Sequence, residues 1–134
     1  MDYLAHKQSD IQWTAACNRL TSPAAGSHAA VRIPARSLVK NIYLVKLTAY
    51  ASASATIMVG FNGNGETADP DAFLKSADID PDSTGVVSMQ HDGTGVEAAG
   101  KYFDLGGLIT VDTADGGGAA GTFQLFVDYV QLTN

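Results

Sequence analysis

The side chains of this chain that could do chemistry are few and dispersed. It has three histidines, His6, His28 and His91, far apart in sequence, and a single cysteine, Cys17. A Ser-His-Asp triad is defined by geometry and not by order. However, the nucleophile elbow Gly-x-Ser-x-Gly is absent, as are the CxxC, HExxH and phosphate-loop patterns. Cys17 precedes Asn18 and Arg19, and a neighbouring cation can lower a thiol pKa. Free cysteine nevertheless ranks among the most buried residue types, so an inert packed thiol is the expectation. Carboxylates come in close pairs, Asp69/Asp71, Asp80/Asp82 and Asp112/Asp115. A glycosidase needs two carboxylates across a cleft, but turn and cap duty explains aspartates in such Gly- and Pro-containing contexts. The expectation is that the chain is not an enzyme, with no catalytic residue and no cofactor.

Two binding chemistries are weighed. Asn62, Asn64, Glu66, Asp69 and Asp71 place oxygen donors at short spacing in a Gly-containing stretch, and calcium takes six to eight oxygens. The spacing does not match an EF-hand, so no metal is expected, and this loop is the calcium candidate only by default. Trp13, Tyr43, Tyr50, Tyr102 and Tyr129 could offer apolar faces to a sugar. All but Trp13 lie in confident strand patterns where core packing is the default, which leaves Trp13 to meet a partner.

The elements that must position these residues read as strands. Ala29–Ile33 ends at Pro34, and proline cannot donate to a ladder. Ser37–Tyr50 is rich in β-branched and aromatic residues but too long for one regular strand, which predicts a bulge near Lys40-Asn41 or a passage between sheets. Ala55–Phe61 follows a small polar turn, which predicts a hairpin with the preceding run. Asp69-Pro70-Asp71 has helix-start chemistry and predicts one short helical turn near residues 70–75. Asp80-Pro81-Asp82 predicts another turn, and Val86–His91 a strand. Lys101–Leu105 and Leu108–Asp112 flank Gly106-Gly107, a hairpin signal. Thr122–Leu132 is a long strand with Phe123, Leu125, Val127 and Tyr129 on one face. Phe126, Val130 and Leu132 on the other face imply that both sides are covered in part.

About eight strands and no sustained helical period define an all-β fold, an antiparallel β-sandwich or jelly roll. Residues 28–134 are expected to form the sandwich. Residues 1–27 are expected to form an N-terminal arm, or a first strand plus a Pro/Gly loop.

At 134 residues the chain suits one domain that can fold without a staple. No apolar run reaches the ~20 residues of a membrane span, and the N-terminus does not read as a secretory leader. The net charge of −6 opposes general nucleic-acid binding. Its distribution is uneven. Residues 1–50 hold six basic residues and two acids, whereas residues 51–134 hold two basic residues and twelve acids. Such asymmetry either orients the molecule on a charged surface or reflects well-solvated acidic loops.

Against this background, Ile57–Phe61 with its Gly/Asn loop and Asp69–Leu74 resembles small structural proteins of tailed-phage heads, as do Lys101–Asp104 and Phe126–Val130. The resemblance covers roughly residues 38–132. It implies a capsid decoration (cement) protein of jelly-roll type, often a trimer. Such a protein is made in the host cytoplasm, sits on the outside of the virion and has the major capsid protein as its partner. It contacts neither nucleic acid nor membrane. In such proteins the N-terminal segment commonly meets the shell. Ile11 and Trp13 would then be apolar anchors and Arg19, Arg32 and Arg36 charge contacts, since arginine suits fork-like carboxylate recognition. The rival expectation is a receptor- or glycan-binding module of a fibre or tail.

Overall fold

The computed structural model describes residues 11–21 and 26–132, with side chains from Gly26 onward. Nine strands are described: β1 (Ile11–Thr21), β2 (Gly26–Ile33), β3 (Ser37–Thr48), β4 (Thr56–Gly63), β5 (Asp69–Leu74), β6 (Gly85–Ser88), β7 (Lys101–Phe103), β8 (Gly107–Ala114) and β9 (Thr122–Leu132). They form two antiparallel sheets. Sheet A runs β1-β9-β3-β6, with β7 also pairing β3, and sheet B runs β2-β8-β4-β5. Apart from β7, two four-stranded sheets fed by a chain that alternates between them are the strand order of a jelly roll. No described helix is long and apolar enough to cross a membrane.

The core lies between the inner faces. Ile42, Leu44, Phe123, Leu125 and Val127 from sheet A meet Ile57, Val59, Ile109 and Val111 from sheet B, with Phe73 and Phe103 filling the volume between them. Burying each such side chain is worth about 1.5–3 kcal/mol before entropy is counted. That driving force fixes register, because a one-residue slip would turn every inward side chain to water.

The length of β3 is resolved by a bulge. Its register against β9 shifts between Val39 and Asn41. Val39 is buried before the shift and Ile42 and Leu44 after it, so the inward parity flips from odd to even. The Asn41 side chain holds the bulge: its Oδ1 accepts the Ile42 N–H at 2.9 Å and the Gln90 N–H at 3.2 Å.

The structure departs from local expectation in four places. β3 and β4 do not form a hairpin, because β3 belongs to sheet A and β4 to sheet B. The backbone of their connection bonds to other loops, Tyr50 N–H to Pro81 O at 2.8 Å and Ala51 N–H to Ala119 O at 2.9 Å. Nor do Lys101–Leu105 and Leu108–Asp112 form a hairpin. β7 pairs β3 and β8 pairs β2 and β4, with Gly106 at φ 78° turning the chain from one sheet to the other.

The Asp-Pro-Asp segment is strand β5, and a 3-10 turn follows it at Ser76–Asp78. Pro70 lacks an N–H, which suits an edge strand as well as a helix start. The β5 backbone also crosses close over Gly60, where a Cβ would stand 2.0 Å from Asp69 O, and only glycine allows that approach. Finally, β6 ends at Ser88, and Met89–Asp92 form one helical turn, α1. There Asp92 Oδ2 accepts the Ser88 N–H at 2.9 Å and Met89 is buried.

Candidate functional site

Following the chain out of β2 leads to the most distinctive surface. Arg32 is exposed on the outer face of sheet B, opposite Leu108 in the ladder. Pro34 ends the strand, and Arg36 makes the turn into β3 at φ 56°, the left-handed conformation. That conformation costs a non-glycine residue roughly 1–2 kcal/mol. It is held by the backbone: Arg36 N–H donates to Asp104 O at 3.1 Å, and its carbonyl accepts the Leu132 N–H at 3.0 Å. Among the described residues neither guanidinium has an ion-pair partner. The same end carries a pocket of about 250 Å³, lined by Arg32, Asn62, Asn64 and Leu105 above the Gly106-Gly107 backbone. Leu105 is 61% exposed at its rim.

Of the five expected contact residues, the fold brings four toward this end in backbone terms. Ile11 registers with Leu132, whose N–H bonds Arg36, and Trp13 registers with Val130 one rung pair further in. Arg19 registers with Gln124, roughly 27 Å along β1 from Ile11 at 3.4 Å per residue, so it cannot share a contact with Arg36. The side chains of Ile11, Trp13, Arg19 and Cys17, and all of His6, lie outside the described residues.

The calcium candidate is spread among protein partners. Glu66 Oε1 accepts from Lys101 Nζ at 2.8 Å, Asn64 Nδ2 donates to Leu105 O at 2.9 Å, and Asp69 Oδ1 accepts the Asp71 N–H at 3.4 Å. Asn62 faces the end pocket. Among the described residues no three His, Cys, Asp or Glu side chains converge as a metal site would require.

The other titratable groups serve the scaffold. His91 Nδ1 lies 2.8 Å from Asp92 Oδ1 at the surface. The Ser88 N–H first and His91 second hold the Asp92 carboxyl below its ordinary pKa. Asp80 and Asp82 share a hydrogen bond at the opposite end of the sandwich, which lowers the pKa of Asp80 and raises that of Asp82. Beneath them buried Lys46 donates to Asp80 O at 2.6 Å and Ser83 Oγ at 3.0 Å. Burial raises the Tyr50 pKa above its ordinary value. Thus one end carries Arg32 and Arg36 beside exposed Asp104, and the other carries paired aspartates over buried Lys46.

Two features escaped sequence reasoning. One is the end pocket, whose lining comes from three separate strands and three loops. The other is the outer face of sheet A, where Leu38, Tyr102, Phe126 and Leu132 are 40, 48, 36 and 42% exposed. They cluster because Leu38 pairs with both Tyr102 and Val130, and Tyr43 with Phe126. The apolar residues on both faces of β9 were the available signal.

Fold and surface together define a jelly-roll domain with a pocketed end that carries Arg32 and Arg36. The same fold occurs in a chain of the acid-stable capsid of Helicobacter pylori bacteriophage KHP30, with TM-score 0.62, 16% identity, and 90% of this chain matching 92% of that one. It also occurs in a chain of the cyanophage Pam1 capsid asymmetric unit, with TM-score 0.58, 13% identity, and coverage of 91% and 85%. A likeness to the Pseudomonas aeruginosa metallopeptidase IMPa has a TM-score of 0.40 and spans 13% of that chain, too little to bear on fold or activity. No protein-family model matches the sequence, and no curated protein matches it either.

Proposed function

We propose that the chain is a structural virion protein that binds the outer surface of a phage capsid and stabilises it, a decoration or cement protein. The observation that carries this reading is the likeness to chains of two phage capsids over about nine-tenths of each length. The pocketed end supplies the contact. Arg32 and Arg36 offer two guanidinium forks, without an ion-pair partner among the described residues, to carboxylates of the major capsid protein, and Leu105 offers an apolar rim. The chain enters this end at Ile11. Trimeric assembly supplies avidity, since linking copies of one weak contact strengthens attachment by ~10²–10⁴. The outer face of sheet A, with Leu38 and Tyr102 exposed side by side and Phe126 exposed beyond Asp128, is where the copies meet. A glycan-binding role draws less support, because a pocket of about 250 Å³ falls below the ~300–1,000 Å³ of small-molecule sites and has no aromatic ring in its lining.

Co-sedimentation with emptied capsid shells, combined with the mass in solution by light scattering, tests the reading. The expected result is saturable binding by a trimer. Binding no stronger than that of an unrelated acidic β-sandwich would overturn it.

A further inference from the structure

Beside the basic pocket lies a second one with the opposite character. It measures about 230 Å³ and is lined by Ser27, Asn62, Thr110 and Asp112, with Ala68 and Pro70 as its apolar wall; Phe61, whose ring packs inward on Phe73 and Phe103, borders it from the core side. It sits on the outer face of sheet B, where Ser27 and Asp112 are partners in the β2–β8 ladder. Asn62 lines both pockets and forms the ridge between them. Among the described residues, Asp112 Oδ1 is buried and finds no hydrogen-bond donor. A buried carboxylate oxygen without a donor is costly, and such groups in native folds call for an explanation.

We propose that this pocket receives a primary ammonium group, the side chain of a lysine presented by the shell partner. An ammonium has three donors and no acceptor. The polar lining offers the matching set: one carboxylate, two hydroxyls and one amide oxygen. The apolar wall suits the butyl stem, since lysine buries its stem along apolar surface while its head finds polar company. Size selects against a sugar, because the volume holds one side chain and lies below that of small-molecule sites. Calcium fits less well, because the lining has a single carboxylate and calcium takes six to eight oxygens, several of them charged. Since Asn62 joins the two pockets, the segment read by this face carries an acidic residue for Arg32 and a lysine for Asp112, spaced to straddle Asn62. The choice of a lysine from the shell rests on the capsid-binding reading, whereas the ammonium specificity of the pocket does not.

The test has two arms. In the first, n-butylammonium is titrated into the full chain and backbone amide shifts are followed by NMR, with tetramethylammonium and n-butanol as controls. Saturable shifts at Asn62, Thr110 and Asp112 are expected with n-butylammonium alone, and they are lost in Asp112→Asn. Equal shifts with all three probes, or an unchanged response in Asp112→Asn, would overturn the inference and leave an ordered water as the partner of Asp112. In the second, Asp112→Asn is expected to bind shells about tenfold more weakly than wild type, the loss of one charge-assisted hydrogen bond. Ala68→Trp, which obstructs the exposed rim without touching the core, is expected to do the same and serves if Asp112→Asn does not fold. Wild-type affinity in both variants overturns the lysine assignment while the capsid reading stands. Failure of wild type itself to bind shells removes that reading, and the titration still decides the pocket.

Discussion

The Lys101 ammonium lies 2.8 Å from Glu66 Oε1 and 4.3 Å from the centroid of the Phe61 ring. It stands 5.1 Å from the Phe103 ring as well, with its side chain only 10% exposed. One lysine therefore ties the loop after β4 to strand β7, and so ties sheet B to sheet A at the end that carries Arg36. The two partners are not equivalent. Removing Glu66 leaves a buried cation with only aromatic faces for company, whereas removing Lys101 leaves a carboxylate that water can reach.

Breaking a buried pair costs about 3–5 kcal/mol, while replacing its charge with an apolar side chain of similar size is often neutral. Because Glu66 is partly exposed, its loss falls toward the lower end. Urea unfolding is expected to show Glu66→Ala destabilised by about 2–3 kcal/mol and Lys101→Met changed by less than about 1 kcal/mol. Equal losses in the two variants would mean that the pair acts through ordinary packing.

Arg36 sits in the left-handed region at φ 56° and is exposed. Its backbone bonds need no side chain. Arg36→Gly relieves the steric cost but loosens the unfolded chain, so thermal unfolding is expected to find stability unchanged or raised by up to about 1 kcal/mol. Shell binding by the same variant is expected to fall. Stability and attachment moving in opposite directions would mark the position as one where strain is kept for contact.

Acid sensitivity is expected to trace to Asp78. Its carboxylate accepts the Lys75 N–H, the Thr94 N–H and the Thr94 hydroxyl, each at 2.8 Å, pinning the 3-10 turn to the loop after α1. Partial burial works against the charged form, but these hydrogen bonds outweigh it and hold the pKa below its ordinary value. A depressed folded-state pKa gives stability that is whole above the unfolded value of about 3.9 and fades as pH falls through the folded one. Asp78→Asn is expected to be less stable than wild type at pH 7, with the gap closing below pH 4. A gap constant between pH 7 and pH 2.5 would show that the carboxylate charge is irrelevant.

What could be read in the sequence was what side-chain alternation governs. Phe123 to Tyr129 alternate and point inward as expected, and the excess length of Ser37–Tyr50 announced the bulge found at Lys40. What could not be read was which strand pairs with which. The Ala51–Ser54 turn and Gly106-Gly107 have hairpin chemistry, yet both carry the chain from one sheet to the other, because burial of two inner faces outweighs local turn preference. Asp69-Pro70-Asp71 suits a helix start and an edge strand equally, and contact with β4 decided for the strand. The proposed contact surface was half legible. Arg32 and Arg36 are exposed and close in sequence, but Arg19 joins a distant part of β1, and the two pockets divided by Asn62 arise only when β2, β4 and β8 lie side by side.

Electron cryo-microscopy of emptied shells saturated with the purified chain tests the central claim most directly. The account predicts added density on the outer surface in which each jelly roll stands with Arg32, Arg36 and Leu105 against the shell and the Asp80–Asp82 end pointing away. Bare shells, or copies attached by the Asp80–Asp82 end, would contradict it.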